Sequence, residues 1–419
     1  MSSENVQSKR VEVMAGLTSF FAISYIIIVN PLILADGGIP AELSVFATIF
    51  ASAVGCLLMA LWADAPIILT PGMGINAFFT YTVVTNMGFR WQEALAISLV
   101  SALIFFALAV TRAGRVLADA VPKSLKYAVT AGIGLFLVEI GLEKAELIRA
   151  GENSILALGD LQNPSAQLAL LGLVLSLLFY QQRVKGGFFI AILIVTVIAN
   201  ALDLVHANTI EIDMTRLGEY GALLFAEDFS SVLTISFWLA VFSMTMILVF
   251  ESIGLLEGLL PDTEKFRNAF RASSLTAVLS SVLGTSPTVA AAESAAGIVE
   301  GGRSGLTALV GGALFLLTLV FIPLLAYVPQ AAVAPVIITG ALMMQQLENI
   351  HFQDFSEWFP AFLIIVLIPL TNSISTGLAF GFAAHPMMKV FTGRRRELGT
   401  LSYVLGVLFL LQLIFEAVQ

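Results

Sequence analysis

Apolar runs about as long as a bilayer is thick follow one another along almost the whole chain. They lie at 13–34, 43–63, 66–86, 92–111, 123–142, 165–182, 187–205, 233–256, 268–284, 287–300, 305–325, 331–347, 358–371 and 373–391, with a further run at 398–415. A helix of about 20 apolar residues spans the hydrocarbon core, and lipid solvates what no soluble core of this size could hide. The mean hydropathy of +0.95 and a charged fraction of only 12% agree, since soluble domains carry roughly 25% charged residues. The runs are continuous rather than alternating, which points to helices and away from a transmembrane barrel. The expected fold is an all-α polytopic membrane protein that begins inside the cell, with no cleaved signal before the first span.

Charge and cysteine content exclude other classes. A net charge of −9 gives no basic footprint for nucleic acid. One cysteine, Cys56, and three scattered histidines, His206, His351 and His385, supply neither a disulfide framework nor a zinc cluster. No HExxH motif or intramembrane aspartate pair suggests an enzyme.

Counting loops from a cytoplasmic N-terminus places sixteen of the twenty Lys and Arg inside, leaving only Arg90, Lys144, Arg149 and Arg216 outside. That bias is what the positive-inside rule asks of a fourteen-segment topology in the inner membrane. The halves also echo each other. LADAVPKSLKYAVTAGIG at 117–134 and LAYVPQAAVAPVIITGAL at 325–342 share Leu-Ala, Val-Pro and a mid-segment Thr-Ala or Thr-Gly step. They open segments five and twelve, seven apart, and an odd offset inverts the second half relative to the first. The Pro- and Gly-interrupted segments three and ten, around Pro71-Gly72-Met73-Gly74 and Gly284-Thr285-Ser286-Pro287, share that offset. Broken helices at membrane depth are tolerated only inside protein or beside water, and inverted repeats carrying them are a signature of secondary transporters.

Most acidic residues fall in loops and account for the net charge; Glu251 and Glu293 do not. An ionised carboxylate within a span costs roughly 2.5–3.5 kcal/mol on insertion scales, so such residues mark functional sites. No Lys or Arg accompanies either in its span. Paired carboxylates without a cation suit a cation or a neutral solute with N–H donors, because a carboxylate accepts two parallel N–H bonds. They can also carry a coupling proton. Thr285, Ser286, Thr288 and Asn30 are expected to satisfy broken backbone, and His385 to be packed or interfacial.

At these residues the chain resembles a known family. VEVMAGLTSFFAISYIIIVNPLIL (11–34), LTPGMGINAFFTYTVV (69–84) and LGTSPTVAAAESAAGIVEGGRSGLTALVGGALF (283–315) are similar to the nucleobase–cation symporters of the xanthine/uracil permease superfamily, nearest its AzgA-like purine permease branch. The resemblance implies 14 transmembrane segments as a 7+7 inverted repeat, with short extended stretches in segments three and ten. After a cytoplasmic N-terminus (1–12), a core domain takes 13–111 and 233–325, and a gate domain takes 112–205 and 326–396. An extracytoplasmic loop (206–232) and a C-terminal apolar segment (397–419) complete the chain. Glu251 and Glu293 would bind the base and the proton, with Asn76, Ala77, Phe78, Thr288 and Ala292 completing the pocket. The implied activity is proton-coupled import of a purine, guanine or hypoxanthine ahead of adenine, by an elevator-like motion in a homodimer. Xanthine, uracil or another small solute, sodium coupling, and an anion carrier of the same architecture are the alternatives. No cofactor is implied. The chain departs from the branch in having Glu251-Ser252 where Asp-Thr is usual, and Pro287-Thr288-Val289-Ala290-Ala291-Ala292 where several Thr and a Tyr are common.

Overall fold

A computed structural model describes residues 3–111, 116, 121–151, 156–202, 204, 214–322, 327–329 and 334–418. Arg112, Arg115, Glu152, Asp203, His206, Glu211, Asp213 and parts of both echoed segments lie outside the described residues. The first half runs α1 (Ser3–Ile23), α2 (Ile26–Asp36), α3 (Ala41–Leu58), strand β1 (Leu69–Pro71), α4 (Met73–Ala77), α5 (Trp91–Val110) and α6 (Lys123–Lys144). A small hairpin, β2 (Ile148–Ala150) and β3 (Leu156–Leu158), leads to α7 (Pro164–Gln181) and α8 (Gly187–Ala201). The second half runs α9 (Ile235–Leu259), α10 (Phe266–Val282), strand β4 (Thr288–Ala290), α11 (Ser294–Val299), α12 (Gly305–Leu317), α13 (Ala334–Met343), α14 (Phe355–Leu370), α15 (Ile374–Phe391) and α16 (Thr400–Val418).

Each expected apolar segment reappears as a helix or as a broken element. Among the described residues, six helical stretches are long and apolar enough to cross a membrane, among them Lys9–Asp36, Lys123–Lys144 and Ile235–Leu259. Several other apolar helices among the described residues are shorter, Gly187–Ala201 and Phe355–Leu370 among them. Large apolar side chains such as Val174, Val197, Leu177 and Val320 point outward from the helices. A soluble monomer rarely tolerates so much exposed apolar surface, whereas a lipid-facing wall consists of it.

Three local features add to the sequence reading. The polar N-terminus is helical from Ser3 rather than a separate tail. Glu12 is buried there and accepts the backbone N–H of Arg303 (3.0 Å) and the hydroxyl of Thr307 (2.5 Å), tying α1 to the start of α12. The first apolar run is not one helix: it turns at Ser24-Tyr25, where Ser24 Oγ donates to the Phe21 carbonyl at 3.1 Å. The C-terminal run is α16, packed along α15, with Phe409 wedged between Phe242 and Phe382 at 4.7 and 4.9 Å.

The helices pack as two groups. One gathers α1, α3, α5, α9, α10 and α12; the other gathers α6, α7, α8, α13, α14 and α15. Within the second, α6 and α13 cross where Gly134 and Gly340 meet: a Cβ on either would come within 2.6 Å of the other's carbonyl oxygen. Strands β1 and β4 pair antiparallel, Leu69 opposite Ala290, Thr70 opposite Val289 and Pro71 opposite Thr288. Exposed strand edges are intolerable in hydrocarbon, and here the two broken segments satisfy each other within protein.

Candidate substrate site

Each strand leads directly into a site element. Two flanking bonds extend the ladder, Gly72 N–H to the Pro287 carbonyl (3.2 Å) and Ala291 N–H to the Ile68 carbonyl (2.9 Å). Beyond them lie Gly72-Met73-Gly74 on one side and Ala291-Ala292-Glu293 on the other. Helix α9 then brings Glu251 against the glycine turn: a Cβ on Gly72 would sit 3.5 Å from Glu251 Oε1, and one on Gly74 3.5 Å from Oε2. Those distances are ordinary contact; what excludes a side chain at Gly74 is Ile133 of α6, whose Cγ2 would lie 2.8 Å from its Cβ. Any side chain at Gly72 would also meet Val289 Cγ2 at 2.6 Å.

These elements line a cavity of about 480 Å³ between the two helix groups. Its depth is bounded by Thr70–Gly74, Val289–Glu293, Phe250 and Glu251; α6 closes it with Tyr127, Thr130 and Ile133, and α13 with Thr339 and Met343. Lys123, Lys126, Glu257 and Asn349 line it too, toward the first turns of α6. Pockets of this size with a few convergent polar groups are typical of small-molecule sites. Among the described residues nothing hydrogen-bonds Glu251 Oε2, although that atom is buried. A buried acceptor without a partner is costly, and a ligand's N–H would satisfy it. Glu293 Oε1 accepts from the Tyr25 hydroxyl at 2.7 Å. Among the described residues no three His, Cys, Asp or Glu are grouped to hold a metal ion.

Of the residues expected at the site, Glu251, Glu293 and Ala292 line the cavity together. Asn76, Ala77, Phe78 and Thr288 do not: all four are fully buried, one step behind the wall. Helix α4 begins at Met73, so the backbone facing the cavity is Gly72 and the first residues of the helix, Met73 and Gly74, rather than Asn76–Phe78 further on. The backbone N–H of Thr288 is taken by Ser280 Oγ at 3.1 Å. Sequence reading missed Tyr25 and Thr339. The signal for Tyr25 was a phenol beside Ser24 in the first apolar run, and Thr339 belongs to the Thr-Gly step of the echoed segment. His385 is buried, 3.5 Å from Glu357, and lies away from the cavity.

The family model Xan_ur_permease, described as Permease family, matches residues 10–380. The nucleobase transporter PlAzg2 of Paenibacillus larvae is 42% identical over 383 residues, covering 90% of this chain and 77% of the relative. The guanine/hypoxanthine permease PbuO of Bacillus subtilis is 37% identical and covers 98% of each. Among solved structures, the transmembrane domain of the cyanobacterial bicarbonate transporter BicA superposes with a TM-score of 0.64 at 15% identity, over 90% of this chain and 98% of that one. At that identity the likeness is one of fold: a mostly helical, polytopic membrane transporter. The relatives are named permeases and transporters rather than enzymes, and the chain belongs to the xanthine/uracil permease family, in its AzgA-like branch.

Proposed function

We propose that this permease imports a purine nucleobase, guanine or hypoxanthine ahead of adenine, by proton symport across the inner membrane. The observation that carries the reading is a pair of carboxylates, Glu251 and Glu293, facing one small cavity with an unpaired buried oxygen on Glu251. A flat heterocycle offers adjacent N–H donors that a carboxylate accepts in parallel. The relatives PlAzg2, a nucleobase transporter, and PbuO, a guanine/hypoxanthine permease, support the same substrate class. The cavity's cations, Lys123 and Lys126, belong to the first turn of α6 rather than to its depth, which weighs against an anion carrier despite the fold of BicA. Protons are favoured over sodium because the same carboxylates can carry them.

In this reading the group containing α9 and both strands is the moving core and the group containing α6 and α13 is the gate, related as a 7+7 inverted repeat in a homodimer. The antiparallel meeting of β1 and β4, one from each half, supports that symmetry. Cytoplasmic placement of the N-terminus rests on the Lys and Arg bias and makes the Lys123 end of the cavity its cytoplasmic mouth.

The test is uptake of radiolabelled hypoxanthine in bacteria lacking purine permeases, for wild type, Glu251→Gln and Glu293→Gln. Wild-type uptake abolished by a protonophore, unaffected by sodium removal and absent in both inserted variants supports the reading. Normal transport by the variants rejects the two-carboxylate site, and no purine uptake by wild type rejects the substrate.

A further inference from the structure

Tyr25 is fully buried, yet it belongs to the cavity wall. Its ring meets Phe188 of α8 edge-on at 5.8 Å, so the apolar part of the side chain is seated on the second helix group. Its hydroxyl stands between the groups. It donates to Glu293 Oε1 at 2.7 Å and lies 3.1 Å from Thr339 Oγ1 of α13. The turn at Ser24-Tyr25 delivers this phenol at the point where α1 ends and α2 begins.

A phenol has one proton to give. While Glu293 is ionised and empty, its oxygen claims that proton, and the Thr339 hydroxyl must then act as donor to Tyr25. When Glu293 holds a proton on that oxygen, or spends its lone pairs on a ligand's N–H groups, the Tyr25 hydroxyl is released to donate toward Thr339. The direction of the bond between the helix groups thus depends on what Glu293 holds. We infer that Tyr25 is a positioning residue that aims the Glu293 carboxylate at the substrate and, through Thr339, relays the occupancy of that carboxylate across the boundary between the two groups. The inference rests on Glu293 being a ligand-binding group, as proposed above.

The test uses full-length protein in liposomes, with equilibrium binding of hypoxanthine and its net uptake measured separately for wild type, Tyr25→Phe, Thr339→Val and the double variant. Phenylalanine keeps the ring on Phe188 and removes only the hydroxyl, so a purely structural role predicts no change in binding. We expect Tyr25→Phe to weaken binding about ten-fold, the loss of one hydrogen bond to a charged group, with thermal stability retained. Thr339→Val should bind within about two-fold of wild type yet take up hypoxanthine several-fold more slowly, because it removes the relay and not the ligand contact. The double variant should match Tyr25→Phe in both readouts. If Tyr25→Phe binds and transports as wild type does while Glu293→Gln is inactive, the inference is overturned and the site stands. If Thr339→Val transports at the wild-type rate, the relay is overturned even should Tyr25→Phe fail to fold. Hypoxanthine bound and carried normally by Glu293→Gln removes the site, and the inference with it.

Discussion

Lys144 Nζ lies 2.6 Å from Asp36 Oδ2, and the Tyr81 hydroxyl donates to that same oxygen at 2.6 Å. Lys144 is the last residue of α6 and Lys123, which lines the cavity, is the first. At 1.5 Å per residue, 22 residues separate these ends by about 33 Å. The cavity therefore reaches one end of α6, while the other end is tied to α2 and to the segment after α4. Asn86 Nδ2 to the Thr371 carbonyl (3.3 Å) and Ile374 N–H to Thr82 Oγ1 (3.2 Å) bridge the same two groups. A part-exposed ion pair is worth little in isolation, which suits a contact that would open in the proposed transport cycle. Cysteines at 36 and 144, joined by a short bifunctional thiosulfonate, should stop uptake, and dithiothreitol should restore it. Native Cys56 is wholly buried and should stay silent. Uptake that continues after quantitative cross-linking would show that these two ends need not part.

Gly72 offers a rescue experiment. Its missing Cβ would lie 2.6 Å from Val289 Cγ2, across the strand pair and beside Glu251. Val289 is β-branched, fully buried and stiff at χ1, so it cannot turn aside. Gly72→Ala should insert normally yet lose about ten-fold in uptake as the turn is pushed from the carboxylate. Val289→Ala placed on top should recover most of that loss. Wild-type uptake by Gly72→Ala alone would mean that the backbone there need not touch Glu251.

Asp354 gives a pH dependence outside the membrane segments. Its Oδ1 accepts from the Ser356 hydroxyl at 2.8 Å and the Ser356 N–H at 3.0 Å, capping α14, while Arg394 Nη1 meets Oδ2 at 2.5 Å. The Ser356 hydroxyl above all, then its backbone N–H and Arg394, hold the carboxyl below its usual range against a smaller opposing effect of burial. A depressed folded value contributes stability that is present above the unfolded value, about 3.9, and is lost as pH falls through the folded one. Asp354→Ala should lower the melting temperature near neutral pH by the worth of one helix cap, about 1 kcal/mol. The gap from wild type should close on acidification below about pH 4. A gap that is constant with pH would exclude the ionised carboxylate as the cause.

The helices were legible because hydrocarbon demands long apolar runs, and nearly every run reappears within a few residues. The two broken segments were legible from Pro and Gly, whereas the extended stretch in each came only with the family resemblance. Glu251 and Glu293 stood out because a carboxylate inside a span is expensive. What failed was assignment of the wall by motif: Asn76, Ala77, Phe78 and Thr288 are motif residues, but the turn at Gly72 swings its own backbone to the cavity and buries them behind it. Tyr25 and Thr339 were missed for another reason. A lone hydroxyl in an apolar run costs little, so nothing in composition marks it until a partner 268 residues away in sequence is brought within 2.7 Å.

The most deeply buried ammonium in the second helix group supplies the last prediction. Lys389 is 3% exposed, with its Nζ 2.8 Å from Glu357 Oε1 and 2.8 Å from Glu397 Oε2. Ser124 of α6 donates to the other oxygen of Glu357, so one carboxylate ties α6, α14 and α15 together. Removing one member of such a pair strands a charge, whereas replacing both with neutral groups does not. Lys389→Met should therefore lower the melting temperature of the purified protein more than Lys389→Met combined with Glu357→Gln. Glu357 is 21% exposed, which places the cost below the roughly 3–5 kcal/mol of a fully buried pair. Glu397 is more than half exposed and can turn to water, so the difference between single and double variant isolates Glu357. If the single variant is the more stable of the two, the pair does not hold these helices, and Ser124 with the apolar packing of α14 must do so instead.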